Sequence, residues 1–88
     1  MPWKVNVTKK ALKGFEELIA NKSTQGEAEA LTTFIKRVEG GETPYAAADC
    51  KKLSDGSFEI YLGSKNRATF IVDKKNQEIT VTQVGGHT

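Results

Sequence analysis

The 88-residue sequence contains one cysteine, one histidine, one tryptophan and only two arginines. A lone cysteine, Cys50, excludes an intrachain disulfide, and with it the cross-linked scaffold of small secreted domains. One Cys and one His (His87) are too few for a closed zinc site, so neither a metal nor a cofactor is expected. With no histidine near it in sequence, Cys50 reads as a small buried hydrophobe rather than a nucleophile. Apolar runs are short, far below the roughly 18 residues of a membrane span. The opening Met1-Pro2-Trp3-Lys4-Val5-Asn6 alternates instead of building the apolar stretch of a signal peptide. The expectation is a soluble, cytoplasmic protein with no membrane partner.

Charge of one sign is missing too. Residues 1–44 carry seven basic and six acidic side chains, residues 45–88 six and five. That balance excludes a long electrostatic track for nucleic acid. It leaves room for a phosphate-sized site, because Lys51, Lys52, Lys65 and Arg67 stand against only Asp55 and Glu59 between residues 50 and 67.

What is present is a set of short β-branched and aromatic runs separated by turn formers, concentrated between Asp49 and Thr88. Such a pattern predicts consecutive antiparallel strands. Alternation sorts Phe58, Ile60, Leu62, Ala68, Phe70, Val72, Ile79 and Val81 onto one face. Glu59, Tyr61, Arg67, Thr69, Thr80 and Thr82 fall on the other, and Lys52 joins them if Leu53 points to the core. Asp55-Gly56, Gly63-Ser64-Lys65-Asn66 and Asp73 to Gln77 supply the turns.

Upstream, Trp3 to Val7 alternates as a further strand of the same sheet. Thr8 stands at an N-cap position, and Ala11, Leu12, Phe15, Leu18 and Ile19 recur at helical spacing behind it. Gly14 costs that helix roughly 1 kcal/mol relative to Ala and marks close packing. Thr24-Gln25-Gly26-Glu27 has the spacing of a capping box. It opens a second helix with Ala28, Leu31, Phe34, Ile35 and Val38 in a stripe, ended by Gly40-Gly41. Pro44 forces Thr43 to be extended, and Tyr45 to Ala48 form a helical turn. The expected architecture is α+β, one domain over residues 1–88, ordered β-α-α-β-β-β-β. An αα-hairpin packs on one face of a mainly antiparallel sheet.

Four words in this order resemble the RelE/ParE superfamily of bacterial toxins. They are Val7 to Lys13, Lys51-Lys52-Leu53, the Arg-x-x-Phe strand from Arg67 to Asp73, and Val84-Gly85-Gly86-His87. The resemblance spans nearly the whole chain. It implies a toxin of a type II toxin–antitoxin pair, neutralised by a small antitoxin protein. The RelE-like branch cuts mRNA at the ribosome as a metal-independent endonuclease; the ParE-like branch inhibits DNA gyrase. A catalytically inactive binding module of the same fold is the third possibility, since fold does not fix function.

Metal-free RNA cleavage needs a group to activate the 2′-hydroxyl, cations for the phosphorane, and a proton for the leaving 5′-oxygen. The resemblance assigns the phosphate to Arg67, whose planar fork suits it, and proton transfer to His87, whose ordinary pKa near 6.5 suits a shuttle. Lys52 is expected beside Arg67 as a stabilising cation, Lys51 and Lys65 as RNA contacts, and Tyr61 as a base-stacking platform. The structural alternative for Arg67 is a sheet arginine paired with Glu59. Two departures keep the three functions open. The terminal histidine lies between Gly86 and Thr88, where active members carry a further Tyr or Arg. The second arginine, Arg37, belongs to the second helix.

Overall fold

The computed structural model describes residues 2–63 and 65–85. Its elements are β1 (Lys4–Val7), α1 (Lys9–Ala20), a 3-10 turn (Lys22–Thr24), α2 (Gln25–Glu39), α3 (Pro44–Ala47), β2 (Lys51–Lys52), β3 (Phe58–Tyr61), β4 (Arg67–Asp73) and β5 (Glu78–Val84). The α+β layering expected from the sequence is present, with the Tyr45 turn realised as the one-turn helix α3.

The five strands form one sheet in the order β1-β5-β4-β3-β2. Three of its pairings are antiparallel; β1 lies parallel to β5, Lys4 opposite Glu78 and Val7 opposite Val81. The sheet therefore closes around its last strand, and the N-terminal strand is an edge. Thr8 continues this docking: its amide donates to the Val81 carbonyl at 3.0 Å, while its hydroxyl accepts from Ala11 N–H at 3.1 Å and caps α1. One residue ends a strand and starts a helix.

The helix-facing side of the sheet holds the core. Phe70, Ile79 and Val81 are buried with Leu31, Phe34 and Val38 from α2. Phe70 lies between Phe34 and Phe58, with ring centroids 5.4 and 5.9 Å away, and Tyr45 meets Phe58 edge-on at 5.3 Å. Such offset and tilted contacts suit the ring quadrupoles.

Two local expectations change. The capping box does not form: Thr24 sits in the 3-10 turn and its hydroxyl donates backwards, to Leu18 and Asn21 carbonyls at 2.7 and 3.1 Å. Because that turn runs directly into α2, the capping acceptor lies earlier, at Asn21 Oδ1, which takes Ser23 N–H at 3.0 Å. Glu27 is thereby released for another contact. On α1, Leu12 and Ile19 are about half exposed, while Ala11 and Leu18 are buried. The buried stripe runs through Gly14, where a Cβ would come within 2.0 Å of the Val84 carbonyl oxygen. Helix and strand backbones touch there. The Gly40-Gly41 stop of α2 is present as expected, with Gly41 (φ 114°) taking the positive-φ conformation.

β5 departs from strict alternation. Phe70 pairs with Val81 but Thr69 pairs with Gln83, leaving Thr82 as an extra residue. This β-bulge turns the strand so that Val84, three residues after Val81, is buried again.

Candidate functional site

Directly paired residues of neighbouring strands project to the same face of a sheet. The pairings Lys51–Glu59, Glu59–Thr69 and Tyr61–Arg67 therefore gather these five side chains on the face opposite the helices. Arg67 and Tyr61 are on one side as expected, and Lys51 stands there with them. Lys52 does not. It pairs with Phe58, so it belongs to the helix-facing side at the sheet edge. The two-residue β2 has its register set by the Asp55-Gly56 turn, with Leu53 N–H donating to the Ser57 carbonyl at 2.7 Å, and that register puts the odd-numbered lysine beside Glu59. Lys65 is exposed in the β3–β4 turn.

Arg67 is the centre of this face. Its guanidinium lies 5.1 Å above the Tyr61 ring, a cation–π distance, and Nη1 stands 3.6 Å from Glu59 Oε2. At that separation the contact is an ion pair rather than a hydrogen bond, so it consumes none of the five N–H donors. The Arg67 side chain keeps 35% of its exposure while that of Glu59 keeps 8%. The carboxylate is thus the inner member and the guanidinium the outer one. The pairing with Glu59 considered from sequence is real, but the arginine is half-buried and oriented rather than loose. Tyr61, 60% exposed, offers its free ring face to solvent.

The C-terminal segment arrives at the same place. Gly85 (φ 76°) donates its N–H to the Arg67 carbonyl at 2.8 Å. His87 lies outside the described residues. Cys50, the other candidate for chemistry, is away from this face. Its thiol donates to the Pro44 and Ala48 carbonyls, each at 3.4 Å, and burial, with Asp49 nearby, pushes its pKa up. That is the environment of an inert thiol. Among the described residues no cluster of three or more His, Cys, Asp or Glu side chains could hold a metal, and no helix is long and apolar enough to cross a membrane.

A groove among the described residues lies elsewhere. It runs between α1 and α2, encloses about 470 Å³, and is lined by Phe15, Ile19 and Ala28 together with Glu29 and Lys36. Both charged residues are exposed, and the groove shares none of its lining with the basin around Arg67.

Sequence reasoning missed one contact of this region, that of Glu27. Its carboxylate accepts from both the backbone and side-chain N–H groups of Asn66, each at 3.0 Å, and Asn66 is the residue immediately before Arg67. Nothing in the local pattern distinguishes this use of Glu27 from a helix cap.

No protein-family model and no curated protein sequence matches the chain. Solved structures do. A YoeB/ParE toxin from Agrobacterium tumefaciens superposes with a TM-score of 0.77 at 18% identity, over 97% of this chain and 99% of that one. RelE in the archaeal RelE–RelB complex from Pyrococcus horikoshii gives 0.72 at 20% identity, covering 97% and 94%. The heterotetrameric YoeB–YefM toxin–antitoxin complex from Staphylococcus aureus contains a chain matching with a TM-score of 0.72 at 13% identity, both chains being covered in full. A basin of Arg67, Tyr61 and Glu59 on the uncovered side of a five-stranded sheet therefore sits in the RelE/ParE-like toxin fold.

Proposed function

We propose that this protein is the toxin of a type II toxin–antitoxin pair and that it cleaves mRNA at the ribosome, in the cytoplasm, without a metal. The observation that carries the reading is the half-buried, ring-stacked Arg67 on the open face of a fold shared, along its whole length, with RelE and YoeB toxins. Two of those structures are complexes with a second protein, RelB or YefM, which supports a small cognate antitoxin as this chain's partner.

In the proposed reaction the Arg67 fork binds the scissile phosphate through donors that the Glu59 ion pair leaves available. The 2′-oxygen loses its proton to a base and bonds to phosphorus. The bond from phosphorus to the 5′-oxygen breaks, and that oxygen takes a proton, leaving a 2′,3′-cyclic phosphate and a 5′-hydroxyl. His87 is the group assigned to proton transfer. The chain from Gly85, bonded to Arg67, to residue 87 spans at most about 7 Å, which keeps this assignment within reach. Tyr61 offers a stacking surface to a neighbouring base, and Lys51 and Lys65 contact the backbone. Lys52 keeps only an edge role, given its register with Phe58.

Charge favours a second reading. Near Arg67 the open face carries Lys51 and Arg67 against Glu59, a sparse outfit for gripping ribosomal RNA. Gyrase inhibition, or a binding module without catalysis, needs no denser one. Induction in bacteria separates the three. Rapid loss of full-length transcripts, abolished by Arg67→Ala and by His87→Ala, is the expected result. Filamentation with intact transcripts would replace the nuclease by a gyrase inhibitor, and unimpaired growth would leave a silent binding module.

A further inference from the structure

The β3–β4 turn is held from outside the sheet. Glu27, in the first turn of α2, gives both carboxylate oxygens to one residue 39 positions away: Oε2 accepts Asn66 N–H and Oε1 accepts Asn66 Nδ2–H, each at 3.0 Å. The turn is shaped to admit that carboxylate. A Cβ on Gly63 would come within 2.8 Å of Glu27 Cγ, so the missing side chain is what lets Glu27 lie against the loop. The Asn66 carbonyl accepts from Leu62 N–H at 2.9 Å, and the next carbonyl, that of Arg67, accepts from Gly85 N–H at 2.8 Å. The backbone at Asn66 and Arg67 is therefore fixed by α2, by the residue after β3 and by the residue after β5 together.

We infer that Glu27 is a positioning residue for Arg67: its two-point grip on Asn66 sets where the guanidinium stands relative to Tyr61 and Glu59. This deepens the proposed function, resting on Arg67 as the phosphate ligand. The physical reason is leverage. Arg67 has a long side chain whose head, among the described residues, is held by an ion pair at 3.6 Å and a ring at 5.1 Å, both compliant contacts. The backbone beneath it must then supply the precision. Charge-assisted hydrogen bonds to a carboxylate are the stiffer kind, and a displacement of about 1 Å at a catalytic group costs on the order of 100-fold in rate.

The two arginines make the test direct. In the ¹⁵N-labelled protein, the Arg67 Nε–H resonance senses the Tyr61 ring, and Tyr61→Leu calibrates its position when the ring is gone. Arg37, paired with Glu42 and bonded to the Ala47 carbonyl, is the internal control. In Glu27→Ala the Arg67 resonance should move toward the calibrated position while that of Arg37 stays. Single-turnover cleavage of a short RNA should fall about 10- to 100-fold, with binding of a 2′-deoxy, uncleavable analogue changed less than about threefold. Should Glu27→Ala fail to fold, Asn66→Ala and Glu27→Gln each retain part of the grip and should give intermediate shifts. A folded variant with an unmoved Arg67 resonance overturns the inference, as does a rate that falls only in step with the unfolded fraction. A wild-type protein that neither binds nor cuts RNA sinks the phosphate role of Arg67, and the resonance shift then decides the positioning alone.

Discussion

The two faces of β4 differ in what they ask of a side chain. Ala68 and Phe70 point to the helices, nearly or fully buried, and Phe70 is wedged between two other phenylalanines. Arg67, Thr69 and Ile71 point away, and Ile71 is 50% exposed. One pleat separates a surface selected for volume from one where only the relation of Arg67 to Glu59 and Tyr61 matters. Substitutions on the first should change stability, and those on the second should change activity at nearly constant stability.

The strongest challenge on the packed side is Phe70→Ala, which should cost about 3–5 kcal/mol in urea unfolding. Gly14→Ala comes next. The added methyl gains roughly 1 kcal/mol of helix propensity but meets the Val84 carbonyl oxygen at 2.0 Å, and overpacking of that kind costs about 3 kcal/mol. The clash should win; a more stable variant would mean that α1 does not touch β5 there. On the open side, Arg67→Ala should abolish toxicity while lowering stability by about 1 kcal/mol, since Glu59 loses a partner but keeps Lys51 opposite. Adding Glu59→Gln should restore the stability and not the toxicity. If instead toxicity returns with stability, the two faces are not separable.

The smallest effect is on pH. Hydrogen bonds from Ser57 hold Asp55 below the usual carboxylate range, those from Asn76 do the same for Asp73, and the Arg37 guanidinium does so for Glu42. A depressed folded pKa adds stability that is complete above the unfolded value, about 4. It is lost as pH falls through the lower folded values. Asp55 and Asp73 are exposed and Glu42 is only partly covered, so the decline in melting temperature below pH 4 should be shallow. Asp73→Asn should make it shallower still, with no effect on the open-face activity.

Much of this comparison was legible in the residues. Period-two alternation in Phe58 to Leu62 and Ala68 to Val72 assigned both faces, because a strand offers a side chain only two directions. Thr8 was legible as a cap because the signal is local. What escaped is what depends on another element. The register of β2 exchanged Lys51 for Lys52, since a slip of one residue reverses every side chain. The bulge at Thr82 returned Val84 to the core where alternation runs out. Glu27 has the right spacing for a cap, yet a 3-10 turn took over that role and freed it for Asn66, a partner 39 residues on.

The parallel pairing of β1 with β5 bears on biosynthesis. Lys4 waits for Glu78, emerging 74 residues later, which at a synthesis rate of about 5–20 residues per second is about 4–15 s. Until then the nascent chain has α1 and α2 but no finished sheet, and hence no basin. The residue that follows β5, Gly85, supplies the amide that anchors the Arg67 backbone, so the surroundings of Arg67 are complete only once the last strand has been made.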